Sequence, residues 1–350
     1  SICCTTSSIR GCGSTAARPG RTERMAGMNI DAGHPPEAAA AGLLARAADR
    51  LRRFFDSDIF HSFRTSPVTV AAFVVTMVCF VAAFFAPWLA PHNTNDVATL
   101  DLMNAFLPPV WMEGGTWDFP LGTDEQGRDV LSAIMFGMKV SLIVGFASVL
   151  FSVVLGVGLG LVSGYVGGRL DHFIMRVADV QLSFPAVLVA LLLFGFAKTI
   201  LPRAVQDDVA LLVLIFAIGL SNWVQFARTV RGSTMVEKNK EYVQAARVIG
   251  RRPLAIMFQH VLPNVMGPVL VIATISLAIA ILTEATLSFL GVGVPPTQPS
   301  LGTLIRFGNN FLFSGEWWMT IFPGVALVAL ALAVNLLGDW LRDALNPKLR

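Results

Sequence analysis

Charge is scarce in this sequence. Only 14% of its 350 residues are Asp, Glu, Lys or Arg, while 54% are hydrophobic, against about 25% charged in a typical soluble domain. That shortage excludes an ordinary soluble chain, and a net charge of +3 is too small to point to nucleic acid. Cysteine is scarce as well. Cys3, Cys4 and Cys12 fall in the first dozen residues and Cys79 lies in an apolar run, so no metal spacing or disulfide framework follows. There is no GxxxxGK[ST] phosphate loop, hence no ATP site in this chain, and HExxH, GxSxG and Cys/His clusters are missing too. A metal- or serine-dependent intramembrane enzyme has no support. The chain is expected to be non-catalytic and to carry no cofactor and no metal.

What is there is lipid-compatible sequence in blocks. A helix needs roughly 20 mostly apolar residues to cross a bilayer core. Residues 68–90, 140–162, 209–227 and 319–338 pass that test without a single charged residue. Residues 265–290 contain one acid, Glu284, and residues 180–197 form the shortest block, interrupted by Gln181 and Pro185. The expectation is an all-α membrane protein of six transmembrane helices, spanning residues 68–338, with residues 339–350 as a tail.

Lys and Arg near span ends favour the cytoplasmic side. With both termini inside, the cytoplasmic segments from residue 41 onward hold 17 Lys or Arg and the outer ones hold five: Arg128, Lys139, Lys198, Arg203 and Arg306. The loop at 91–126 has six acids and no Lys or Arg. Trp88, Trp317 and Trp318 fit an outer aromatic belt, Trp223 and Trp340 an inner one. Residues 1–40 lack periodicity and read as disordered, with Met25 as an alternative start and a transit peptide as the rival reading. Residues 41–67 contain a basic, amphipathic stretch at 43–63 that suits the inner membrane face.

Some polar features have local readings. Gly122 and Gly127 supply turns, Asp124 or Asp129 caps a helix beginning near Val130, and Asp124, Glu125, Arg128 and Asp129 are placed to form a salt-bridged corner. Gly156, Gly160 and Gly164 form a stripe that lets helix backbones approach closely, which makes the second span central. Polar residues in or beside spans are candidates for a transport pathway: Gln181, Ser276, Thr283 and Glu284. Glu284 is open to two readings, a proton relay or a hydrogen-bonded residue at a helix end or cavity wall.

One long stretch in the second half is too polar for lipid: "EYVQAARVIGRRPLAIMFQHVLPN", residues 241–264. Residues 240–249 have no Gly or Pro, and Tyr242, Ala245, Ala246 and Ile249 share a helical face. Gly250 closes that helix in a left-handed conformation, Arg251 and Arg252 suit its negative end, and Pro253 opens a second short helix that Leu262–Pro263 ends. The product is a cytoplasmic helix–turn–helix elbow whose Ala245–Ala246 face suits a groove in another protein. The plainer alternative is a solvated loop, but connectors are ordinarily short.

"QAARVIG" followed after nine residues by "HVLP" resembles the E-A-A-x-x-x-G-x9-I-x-L-P loop of ATP-binding-cassette (ABC) importer permeases. Gln244 stands at the usual Glu and His260 at the usual Ile, while Ala245, Ala246, Gly250, Leu262 and Pro263 match. "PLGTDEQGRDVLSAIMFG" and "EATLSFLGVGV" are similar to the dipeptide/oligopeptide/nickel branch, and in particular to the second of its paired permeases. The resemblance implies a type I importer permease bundle in the bacterial inner membrane. In it, Gln244, Ala245, Ala246, Gly250, Arg251, His260, Leu262 and Pro263 would form a coupling helix seated in a cytoplasmic ATPase. It also implies a homologous second permease, two ATPase subunits and an extracytoplasmic substrate-binding protein. Peptides are the expected cargo, with nickel or another small solute as the alternative within the family. An ion-coupled transporter is the rival from another class, but it would need inverted repeats, and no motif recurs.

Overall fold

The computed structural model describes residues 63–94, 101–295 and 298–345, without the side chains of 203–208 and 345. The expected disorder of residues 1–40, the interfacial stretch up to residue 62 and the first three cysteines lie outside these. All regular structure among the described residues is helical, apart from an isolated bridge between Thr123 and Asp129. The order is α1 (Pro67–Phe84), α2 (Ala86–Leu89), α3 (Val130–Val166), α4 (Gly168–Leu182) and α5 (Ala186–Ile200). Then follow α6 (Arg203–Glu237), α7 (Glu241–Val248), α8 (Pro253–Phe289), α9 (Leu301–Asn309) and α10 (Trp318–Leu345).

Five of these, α1, α3, α6, α8 and α10, are single helices long and apolar enough to cross a membrane. The sixth expected span is broken. Residues 180–197 are not one helix: α4 and α5 meet at 95°, because Pro185 lacks an N–H and sits in extended backbone at φ −56°, ψ 133°. At 15 residues, α5 rises only about 22 Å, short of the roughly 30 Å of a hydrocarbon core. The count is therefore five spans, or six with the bent pair taken as one.

α3 is central, as its glycine stripe implies. It contributes to a core at one end of the bundle with Leu142, Leu301 and Trp318, and to another at the opposite end with Leu161, Val230, Val243 and Ile256. A β-carbon on Gly156 would lie 2.5 Å from the Phe226 β-carbon, and one on Gly160 2.5 Å from the Ala227 carbonyl oxygen. The glycines thus set how closely α3 and α6 approach. The Ser152 hydroxyl donates across the same seam to the Gly219 carbonyl at 2.7 Å.

In the corner before α3 the turns and the cap form, but of the four expected charged residues only Asp124 and Arg128 make an ion pair with each other, while Asp129 lies 4.0 Å from His92. Gly122 and Gly127 take positive φ, and Asp129 caps the helix by accepting from the Ser132 N–H at 2.9 Å and hydroxyl at 2.5 Å. Arg128 lies 3.6 Å from Asp124. Two tryptophans depart from the belt reading. Trp318 is buried and donates to the Thr123 carbonyl at 3.2 Å, and buried Trp223 donates to Gln181 at 2.7 Å. Their indole N–H groups find protein partners inside the bundle, whereas Trp88 stays exposed.

Candidate functional site

The elbow lies between α6 and α8. Its first helix is α7, and Gly250 ends it at φ +80°. The Arg251 N–H bonds back to the Ala246 carbonyl at 3.1 Å and the Gly250 N–H to that of Arg247 at 2.9 Å. Together these make a Schellman closure. Pro253 occupies the first turn beyond it.

The second half of the elbow differs from expectation. Leu262 and Pro263 do not end a short helix; the helix begun at Pro253 runs on to Phe289 as α8. A prolyl ring in a regular α-helix removes one hydrogen bond and collides with the carbonyl four residues back. Here the turn at Met257–Val261 widens into a π-helix, with the Leu262 N–H reaching the Met257 carbonyl. That wider turn changes the hydrogen-bond register just before the ring. The elbow is one short helix plus an extension of a span.

Polar contacts fix this elbow to three spans. Lys238, just past α6, donates to the Gly164 carbonyl near the end of α3 at 2.7 Å. Glu237 accepts from Lys240 at 2.6 Å and from the Tyr242 hydroxyl at 2.5 Å. Asn264 on α8 donates to the Tyr242 oxygen at 3.2 Å. Partial burial, joined by the Glu237 carboxylate, pushes the Tyr242 phenol up to about 12, so it is an O–H donor at any physiological pH. Arg247 lies over the Tyr165 ring at 5.3 Å, and the Arg251 guanidinium reaches Gln259 at 3.3 Å.

Burial divides the elbow residues. Val243 and Ala246 face inward, packed in the cluster that holds Phe226, Ile256, Met257 and Val261. Ala246 is 6% exposed, so it belongs to the bundle's own core, and the expected Ala245–Ala246 face is corrected: only Ala245 of the two is exposed. Gln244 is exposed and its amide donates to the Asn239 carbonyl at 3.0 Å. His260 is half-buried beside the Tyr242 ring. The sequence reading missed the bare apolar residues on either side of Gly250: Val248 is 88% exposed, Ile249 79% and Leu254 67%. A Val–Ile pair abutting a left-handed glycine in a polar segment was the available signal.

The pathway candidates separate into two places. Thr283 and Glu284 are buried on α8, with Ser276 two turns earlier. Glu284 accepts from Ser141 on α3 and Ser288 on α8, each at 2.7 Å. This hydroxyl cage contains no basic partner among the described residues, which favours the hydrogen-bonded reading over a relay. Gln181 stands elsewhere, tying α4 to α6 through the Leu220 carbonyl at 2.7 Å and Trp223.

Fold and site together define a multi-pass helical membrane protein with a folded polar elbow between two of its long helices. Residues 156–350 match the family described as binding-protein-dependent transport system inner membrane component, and residues 54–109 match the N-terminal TM domain of oligopeptide transport permease C. The chain belongs to the binding-protein-dependent transport system inner membrane component family. It is 40% identical over 294 residues to the dipeptide transport system permease protein DppC of Escherichia coli K12, covering 84% of this chain and 93% of that one. It is 36% identical over 293 residues to the di/tripeptide transport system permease protein DppC of Pseudomonas aeruginosa, covering 84% and 92%. With the oligopeptide transport system permease protein OppC of Bacillus subtilis it shares 34% over 315 residues, 90% and 96%. Among solved structures, the MetNI methionine ABC transporter in inward-facing form aligns with a TM-score of 0.48 at 20% identity, over 61% of this chain and 96% of that one.

Proposed function

We propose that this chain is one of two permease subunits of an ATP-driven importer of peptides, and that the elbow is its attachment to the motor. The observation that carries the reading is the two-sidedness of the elbow. Val243 and Ala246 lock it into the bundle, while Val248, Ile249 and Leu254 stand bare. Exposed apolar side chains grouped in an otherwise polar segment mark a protein contact. The relatives named for di-, tri- and oligopeptide transport support peptides as the cargo.

The elbow end is the cytoplasmic end, together with both chain termini, in keeping with its excess of Lys and Arg. Two cytoplasmic ATPase subunits, a homologous second permease and an extracytoplasmic binding protein complete the transporter. A push on α7 reaches α6 through Glu237, α3 through Lys238 and α8 through Asn264. Those are the helices that would have to tilt for alternating access. Gln244, Ala245, Gly250, Arg251 and His260 frame or aim the contact, and Ala246, Leu262 and Pro263 fix the spans behind it.

The test uses Val248→Asp combined with Ile249→Asp in cells lacking the native gene. The variant should insert and keep its permease partner but lose about 2 kcal/mol or more of ATPase attachment. Uptake of labelled di- and oligopeptides, restored by the wild type, should stay absent. Normal ATPase recovery and uptake by the variant would remove the elbow's role, and failure of the wild type to restore peptide uptake would remove the cargo.

A further inference from the structure

At the outer end of the bundle, α5, the first part of α6 and the segment from Gly291 to Arg306 enclose a pocket of about 190 Å³. Its apolar part includes buried Phe194 and Val294, and Lys198 and Arg306 also line it. Among the described residues, no carboxylate lines the pocket and no ion pair involves Arg306. Backbone and ring orient that guanidinium instead. Gly291, at φ +80°, leaves it room: a β-carbon there would lie 2.7 Å from Nη1. The Phe307 ring lies below it at 6.0 Å. The helix that carries Arg306 is in turn capped by Ser300, whose hydroxyl accepts from the Thr303 N–H at 3.4 Å.

We propose that this pocket receives the C-terminal residue of the solute, with its carboxylate on Arg306, as the solute passes from the binding protein into the pathway. The proposal rests on the peptide reading and deepens it. A guanidinium presents a planar fork that matches a carboxylate. The volume is below the roughly 300–1,000 Å³ of sites that enclose a whole drug-sized ligand, so it suits one terminal residue and its side chain. An anionic lipid headgroup offers the same chemistry, and the experiment distinguishes it.

The complete transporter, with its ATPases and binding protein, is reconstituted in proteoliposomes and given labelled trialanine or trialanine amide. Both are used at concentrations that saturate the binding protein, so the difference reads the permease. Arg306→Gln should lower uptake of the free acid about tenfold, the effect of removing a hydrogen bond to a charged group. Uptake of the amide should change less than about twofold, and Arg306→Lys should recover part of the acid's rate. Equal loss for acid and amide would assign Arg306 to lipid or to folding and overturn the proposal, as would wild-type uptake of the acid by Arg306→Gln. If the wild-type transporter moves neither peptide, the peptide reading falls and takes this one with it. An unchanged acid-to-amide ratio against a working wild type sinks the pocket alone.

Discussion

The corner at residues 120–132 and the elbow at residues 237–264 both turn the chain at glycines of positive φ, Gly122 and Gly127 in one and Gly250 in the other. Both use a short hydrogen-bonded network to aim a long helix. In the corner the network closes on itself. Thr123, Arg128 and Asp129 are buried, and Trp318 covers the Thr123 carbonyl from another span. Burial raises the Asp124 carboxyl above its ordinary value even though Arg128 pulls it down. In the elbow the polar groups are likewise paired, yet the apolar side chains at its tip are not covered. The corner is covered by its own chain, and the elbow is covered only on its inner side. That contrast, more than any single motif, is what supports the proposal that the elbow tip meets a partner.

The sharpest way to break the contrast is to make one substitution on each side of α7. Ala246 lies in the packed cluster and Ala245 beside it is exposed. Ala246→Glu puts a carboxylate against Val243, Ile256 and Met257 and should cost about 3–5 kcal/mol, the scale of an uncompensated buried charge. Ala245→Glu should stay within about 0.5 kcal/mol, as surface changes do. Thermal unfolding of the purified permease pair measures both. Equal costs would show that the elbow has no inner face.

Asp129→Ala tests the closed corner. It removes the cap of α3 and leaves the Ser132 hydroxyl and N–H without their acceptor. Loss of such a cap costs about 1–2 kcal/mol. The expected result is a lower melting temperature with ATPase recovery per permease unchanged, since the corner and elbow sit at opposite ends of α3. A selective loss of ATPase attachment would mean that the corner, too, serves the motor.

Much of this was legible from residues alone, for a physical reason. Lipid satisfies no backbone groups, so spans must be helical and apolar, and five of the six blocks stand as single helices. Gly250 and Pro253 act locally and behaved as read. What could not be read depends on tertiary choice. Ala245 and Ala246 are chemically identical, and only packing against Phe226 and Ile256 selects which one is buried. Pro263 signals a helix stop until the π-turn before it is seen. Trp223 and Trp318 look like interface anchors until their partners, Gln181 and Thr123, are brought in from 42 and 195 residues away. Pro185 was visible, but hydropathy averages over a bend of 95°.

The smallest expected effect belongs to Gln244→Glu, which restores the residue usual in the resembling permeases. The amide of Gln244 donates to the Asn239 carbonyl at 3.0 Å, and a carboxylate cannot. Set against that loss, a negative charge in the first half of α7 suits the positive end of its dipole. It also stands four residues after Lys240, although that ammonium is already held by Glu237 at 2.6 Å. An exposed charge pair at this spacing contributes about 0.3–0.5 kcal/mol, close to the net worth of one exposed hydrogen bond. The two changes should offset, leaving unfolding within about 0.5 kcal/mol of wild type and peptide uptake within about twofold. Uptake and unfolding are measured on the same preparation. A tenfold loss of uptake with normal stability would mean that the Asn239 contact sets the aim of α7, and that the charge at position 244 bears on the partner directly.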